Sequence, residues 1–493
     1  MPFLLIAMAM GLMAHDDLAA RRAPSAWPWP LGLAVERPGW VLPALLLAKA
    51  AVVGLFALAA AWTRRTLLRR PWAGRGAANA THRLIAVAFL SLVALYLADL
   101  ALGALLVIRS TLGDTIALDE ALLASPTLVG FIALWWTAYP IDRRLREAVL
   151  MRKLDTGEPV PPLWTRWQYV LSQARHQLAL TAIPLAAIVT WHEAVRRLTP
   201  EAWAKSPSTI HALTLAGAGA VYVLAPMVIR HVWDTQPLPA GDLRNRLIAM
   251  CRSHRVRVRE MLLWRTHGAI INAAVLGLLP LARYILLTDA LLERLPARNV
   301  EAVMAHEVGH LARRHLPWFI VVTLALLGSL EAVWQLATQA AWALGVGAWS
   351  EQEPWRFVAL LAALGLGPLI LFLASFFWIT RRFERQADSF ALQHLSRSEW
   401  NAQAEPRDAT PVITPGAIDA LTGALQHVAD LDGRPVDRPS LWHGSIRGRQ
   451  DYLRGLRGLP VDRLPIDAQV RWIKAASLLL ACATLAREWA SYA

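Results

Sequence analysis

The run His306-Glu307-Val308-Gly309-His310 has two imidazoles four positions apart with a carboxylate beside the first. Residues at i and i+4 stack on one helix face, so both histidines can ligate a single metal ion while Glu307 reaches a metal-bound water as a general base. A catalytic zinc needs a third protein ligand and keeps a fourth position open. A third histidine in the pattern of the metzincins would fall at position 316, with a glycine at 313. Those positions hold Leu316 and Arg313, and His315 is expected off the ligand face. The other arrangement draws a glutamate from a separate helix, with an aspartate four residues later to hold a ligating histidine by its second ring nitrogen. The stretch Arg381-Arg382-Phe383-Glu384-Arg385-Gln386-Ala387-Asp388 supplies both. One zinc ion per chain is therefore expected on His306, His310 and Glu384, with Asp388 orienting a histidine without touching the metal.

These residues must be positioned by a chain of unusual composition. Of 493 residues, 56% are hydrophobic and 17% charged, against about 25% charged in an average soluble domain. The apolar residues gather into runs near 39–62, 84–108, 121–141, 178–195, 210–229, 318–349 and 357–380, long enough for about seven membrane-spanning helices. Residues 1–13 are apolar but too short to cross unaided, and read as a signal-like segment or an extra partial span. Two cysteines, Cys251 and Cys482, exclude a disulfide framework and a cysteine-based zinc site.

The formal charge is +14, nearly all from arginine, since the lysines are Lys49, Lys153, Lys205 and Lys474 alone. In so apolar a chain this surplus marks cytoplasmic span ends rather than nucleic-acid binding, and no nucleic-acid partner is expected. Arg64, Arg65, Arg69, Arg70 and Arg75 follow the first run, and Arg143, Arg144, Arg146, Arg152 and Lys153 follow the third. The positive-inside rule thus places the segments after the first, third, fifth and seventh runs in the cytoplasm. Lys49, Asp99 and Glu331 fall inside apolar runs. Lone charges there are costly, so Asp99 and Glu331 should face protein or water and Lys49 should snorkel to the interface.

The expected organisation is an N-terminal segment (1–37), a five-span bundle (38–233), a first catalytic part with the HExxH helix (234–317), two spans (318–380), a second catalytic part with the third ligand (381–470) and a C-terminal helix (471–493). The fold class is a multi-spanning α-helical membrane protein with a cytoplasmic α+β zinc-metallopeptidase domain split by the last two spans. Within the first part, 241–254 reads as a helix, and the alternation Arg255-Val256-Arg257-Val258-Arg259 has the period of a strand. Further strands are expected at 269–275 and 283–287, helices from Asp289 and from Pro296 to Pro317, and a loop over 396–415.

HEVGH followed two runs later by RRFERQAD resembles the membrane zinc metallopeptidases of the type I CAAX prenyl protease and HtpX group. The resemblance extends to Asn272-Ala273, Gly277, the apolar strand Tyr284-Ile285-Leu286-Leu287 and Leu291, and downstream to Trp442-His443-Gly444-Ser445 with Arg449. It covers about 240–320 and 380–455, and Gly444 stands where the family usually has a proline. It implies a gluzincin-type zinc endopeptidase with His443 or Arg449 stabilising the oxyanion, and with the strand at Asn272 and Ala273 adding a peptide substrate as an extra strand. The expected partners are a peptide or membrane-protein substrate and the lipid bilayer.

Two other functions compete. A membrane receptor or chaperone-like protein with a vestigial peptidase site would have lost a ligand or the base, and every one is present here. A transporter would carry inverted repeats or broken helices, which the sequence does not display.

Overall fold

A computed structural model describes residues 37–69, 74–155, 163–200, 207–266, 270–345, 354–402, 410–432 and 435–492, with positions 8, 12 and 203 besides. The expectation for residues 1–13 thus falls almost wholly outside the described residues. The chain divides into two units, Met1–Trp233 and Asp234–Ala493.

The first unit is helical. Its elements are α1 (Pro38–Arg69), α2 (Gly74–Ala101), α3 (Ala104–Leu112), α4 (Leu118–Asp155), α5 (Arg166–Gln173, continued as π-helix over Ala174–Ala179), α6 (Leu180–Leu198) and α7 (Pro207–Val232). Phe89, Phe131 and Trp135 pack edge to face at its centre, with Phe89 5.0 Å from the Phe131 ring and 5.7 Å from the Trp135 ring. The run 84–108, read as one helix, is broken at Gly103, whose φ of 83° separates α2 from α3. Lys49 does not snorkel: it is buried and pairs with the Asp99 carboxylate, each removing the other's unpaired charge.

The second unit begins with β1 (Thr235–Pro237), then α8 (Asp242–Ser253), β2 (Glu260–Trp264), β3 (Ala273–Leu276), β4 (Tyr284–Thr288), α9 (Asp289–Arg294), α10 (Ala297–Ala312), α11 (His315–Ala343), α12 (Pro354–Ala402), α13 (Pro415–Asp432), α14 (Ile446–Arg454) and α15 (Pro465–Tyr492). Its sheet has the order β1-β2-β4-β3, with β2 and β4 parallel and the other pairs antiparallel. β4 is buried along its whole length, so it reads as a continuous apolar run, and β3 forms one edge. One apolar core joins the sheet to α10, α12, α13 and the start of α15, from Leu238 through Val308 and Phe383 to Val470.

Several expectations change. The alternating run 255–259 is no strand: Arg255 adopts φ 55°, and the Val256 amide donates to the Cys251 carbonyl at 2.8 Å, closing α8 with a left-handed cap. The strand begins afterwards, at Glu260. The HExxH helix stops at Ala312 rather than Pro317, because Arg314 turns left-handed at φ 56°. Pro317 then sits in the first turn of α11, where its missing N–H costs nothing. The expected loop from 396 is helical to Ala402, with 403–409 outside the described residues. Glu331 is exposed on α11 and accepts from Gln335 Nε2 at 2.7 Å.

Among the described residues, five helices are long and apolar enough to cross a membrane, or six if the pair Arg166–Ala179 and Ala182–Leu198, bent by 46°, counts as one span. The seventh expected run, 357–380, lies on α12, and many of its side chains before 369 lie outside the described residues.

Candidate metal centre

α10 and α12 cross to build the centre. α10 starts at Pro296, which caps it, and buries Val300, Met304 and Val308, the side of the helix that faces the core. Gly309 lies on the face against α12, where a Cβ would meet Phe390 at 3.1 Å and the Ala387 backbone at 3.2 Å. The missing side chain lets the helices approach closely enough for Glu384 to reach both histidines.

His306, His310 and Glu384 each offer a ligand atom, all within 4.8 Å of one another. His306 Nε2 and His310 Nε2 are 3.2 Å apart, and they lie 3.6 Å and 3.5 Å from the two Glu384 carboxylate oxygens. Zinc bonds of about 2.0–2.1 Å at tetrahedral angles would separate ligand atoms by about 3.3–3.4 Å. The donor set therefore fits a zinc ion in both chemistry and spacing.

Burial opposes ionisation of Glu384, but His306, His443 and His310 around it outweigh that and hold its carboxyl well below the usual range. His310 is pushed down to about 4 by burial, so it is neutral. Burial also disfavours a charge on His306, yet Asp388 and Glu384 overcome it and raise His306 to about 10. Its Nδ1 lies 2.8 Å from Asp388 Oδ1, although off the line of a well-aligned hydrogen bond. Glu307, the base of the expected mechanism, is hemmed in by protein and pushed up to about 7 by burial.

The late segment reaches the same place. His443 is half exposed and its Nδ1 lies 2.7 Å from Glu384 Oε2. Gly444, which stands where the resembled family usually has a proline, has φ 75° and donates its N–H to the Ser440 carbonyl at 3.0 Å. A proline fits neither that φ nor that bond, so this turn presents His443 by other means. Arg449 Nε and Nη2 donate to the two Asp388 oxygens at 2.9 and 2.6 Å, a paired fork that neutralises a fully buried carboxylate.

Asn272 and Ala273 sit at the start of edge strand β3. The Asn272 amide donates to Thr288 Oγ1, the Thr288 amide donates back to the Asn272 carbonyl, and Gly277 turns the chain into β4 with φ 97°. Sequence reasoning missed His315. It is fully buried, stacks on Phe383 at 4.7 Å, and its Nδ1 lies 3.0 Å from His310 Nδ1. The only sequence trace of this contact is a buried-type position just after the HExxH helix.

Comparison with known proteins bears on the same region. Residues 239–408 match the model of peptidase family M48. The "Protease HtpX homolog" of Acaryochloris marina (strain MBIC 11017) is 31% identical over 156 residues, which is 29% of this chain and 51% of that protein. The chain thus matches about half the length of that curated relative. The crystal structure of S. mikatae Ste24p aligns over 82% of this chain and 98% of its own at 14% identity, with a TM-score of 0.35, too low to bear on the fold. The matched segment encloses the two histidines, Glu307, Glu384 and Asp388. Over residues 239–408, therefore, the chain is similar to peptidase family M48.

Proposed function

We propose that this protein is an integral membrane, zinc-dependent endopeptidase. The observation that carries the reading is the convergence of His306, His310 and Glu384 at zinc-ligand separations, with Glu307 next to the first ligand. When bound, zinc supplies the Lewis acidity that polarises a scissile carbonyl. The chain's own residues do the rest. Glu307 accepts a proton from the attacking water on a carboxylate oxygen and returns it to the leaving amine. His443, half exposed beside Glu384, donates to the oxyanion. Arg449 acts through Asp388: with both oxygens of that carboxylate engaged, it fixes the group that orients His306.

The free edge of β3 at Asn272 and Ala273 accepts the substrate backbone as an added strand, giving affinity with little sequence selectivity. The arginine distribution supports a cytoplasmic position for both catalytic parts. The deciding experiment measures zinc per purified chain and hydrolysis of an unfolded protein substrate, in the parent and in Glu384→Ala. Zinc near one per chain with cleavage in the parent, and loss of both in the variant, is expected. Equal zinc in the two proteins would overturn the ligand set.

A further inference from the structure

His310 Nε2 faces His306 and Glu384, so its other ring nitrogen, Nδ1, must be protonated for Nε2 to carry a lone pair. That second nitrogen is not left to water. His315 Nδ1 lies 3.0 Å away, His315 Nε2 lies 2.9 Å from Gln386 Oε1, and Gln386 Nε2 lies 2.6 Å from Asp467 Oδ1. His315 and Gln386 are buried, and Asp467 is held by Arg313 at 3.4 Å at the edge of a cavity lined also by Arg471 and Lys474.

Only one set of protons satisfies this chain of contacts. The Asp467 carboxylate can only accept, so the amide of Gln386 must present its N–H₂ there and its oxygen to His315. A flipped amide would set two acceptors face to face. His315 must then donate from Nε2, which leaves the lone pair of its Nδ1 turned to His310. His310 must in turn donate from Nδ1, and Nε2 is the nitrogen left free. We infer that Asp467, Gln386 and His315 act as positioning residues that fix the ring orientation and tautomer of His310 for metal binding. They do for His310 what Asp388 does for His306, from a carboxylate two side chains away. The backbone makes the link possible: the left-handed Arg314 ends α10 and turns His315 back against the helix it has just left. The inference rests on His310 being a zinc ligand.

Two substitutions separate this role from packing. His315→Phe keeps a ring against Phe383 but removes the acceptor, whereas His315→Asn loses the ring but keeps a polar atom at the place of Nδ1. Outer partners of zinc-bound histidines are worth about 10–100-fold in metal affinity. In the full-length, detergent-purified protein, chelator competition should therefore show zinc affinity lowered by about that factor in His315→Phe and restored to within a few-fold of the parent in His315→Asn. The visible bands of the cobalt-loaded protein should shift in the first variant and not in the second. Gln386→Met, which leaves both histidines in place, should weaken zinc in the same direction and serves if a His315 variant fails to fold. Parent-like zinc affinity in both His315→Phe and Gln386→Met overturns the inference, as does His315→Asn binding more weakly than His315→Phe, the order that a packing role gives. A parent protein that takes up no zinc overturns instead the site assignment beneath it.

Discussion

Gly309 and Ala387 meet where the two ligand-bearing helices cross, so closely that a Cβ on Gly309 would lie 3.2 Å from both the Ala387 Cα and its carbonyl oxygen. A glycine within a helix costs about 1 kcal/mol relative to alanine, so its presence here is a packing requirement that overrides helix propensity. The candidate ligand cage depends on that approach, since Glu384 lies one turn before Ala387 on α12 and Asp388 directly follows it.

Enlarging Gly309 should therefore weaken metal binding more than propensity would suggest. Overpacking a tight crossing costs about 1–3 kcal/mol, and in Gly309→Ala the propensity gain offsets part of it. Gly309→Val has no such gain and should lower both the melting temperature and zinc affinity, the latter because α12 is pushed away from the histidines. Chelator competition checks it; a Gly309→Val protein with parent zinc affinity would show that the close crossing does not set the cage.

Zinc uptake should release about one proton per ion near neutral pH. In the metal-free protein His306 is raised to about 10, whereas His310 is pushed down to about 4 and Glu384 is already ionised. A ligating His306 must be neutral, so its proton leaves as the metal enters. Apparent affinity should then rise about tenfold per pH unit between pH 7 and the His306 value. The same shift makes the charged His306 stabilise the metal-free fold. That contribution is complete below the ordinary histidine range and is lost as pH rises towards about 10. Calorimetry in two buffers of different ionisation enthalpy counts the proton, and zinc uptake with none released would contradict this picture of the site.

The cluster of His306, His310 and Glu384 was legible in the sequence because metal chemistry imposes its own spacing. Two histidines one turn apart, and a glutamate and an aspartate one turn apart on another helix, announce themselves in any register of the chain. What was not legible depends on backbone turns without a periodic signature. The alternation at 255–259 imitates a strand, but the left-handed Arg255 makes it a helix cap. The left-handed Arg314 hides the contact between His315 and His310 in the same way, since counting residues along one unbroken helix turns His315 off the ligand face. β1 spans three residues, too few to carry a pattern. The end of the second apolar run was misplaced for a similar reason: composition continues past Gly103, where α2 has already ended.

Membrane orientation is tested by accessibility. Cys251 is buried and Cys482 exposed, so the background needed is Cys482→Ser. In intact cells an impermeant maleimide should label a cysteine placed at Ser350, between the last two apolar runs, and should reach one at the exposed Asn401 only after permeabilisation. The reverse pattern would put the metal centre outside the cell.

Substituting Glu307 separates catalysis from metal binding. The carboxylate stands next to His306 but is not among the three groups that converge on the metal position. Burial has pushed it up to about 7, which suits a group that must take a proton and later give it back. Glu307→Gln preserves size and shape and cannot accept that proton. Zinc content, melting temperature and peptide affinity should stay near parent values while hydrolysis falls by about 10²–10⁴-fold. The variant should also retain bound substrate, because the proposed addition of a strand along β3 needs no chemistry, and crosslinking from the region of Asn272 would then recover the bound polypeptide. Loss of zinc in Glu307→Gln would make Glu307 part of the cage rather than the base. Parent-like hydrolysis with zinc in place would mean that another group moves the proton, and His443, half exposed beside Glu384, is the next to test.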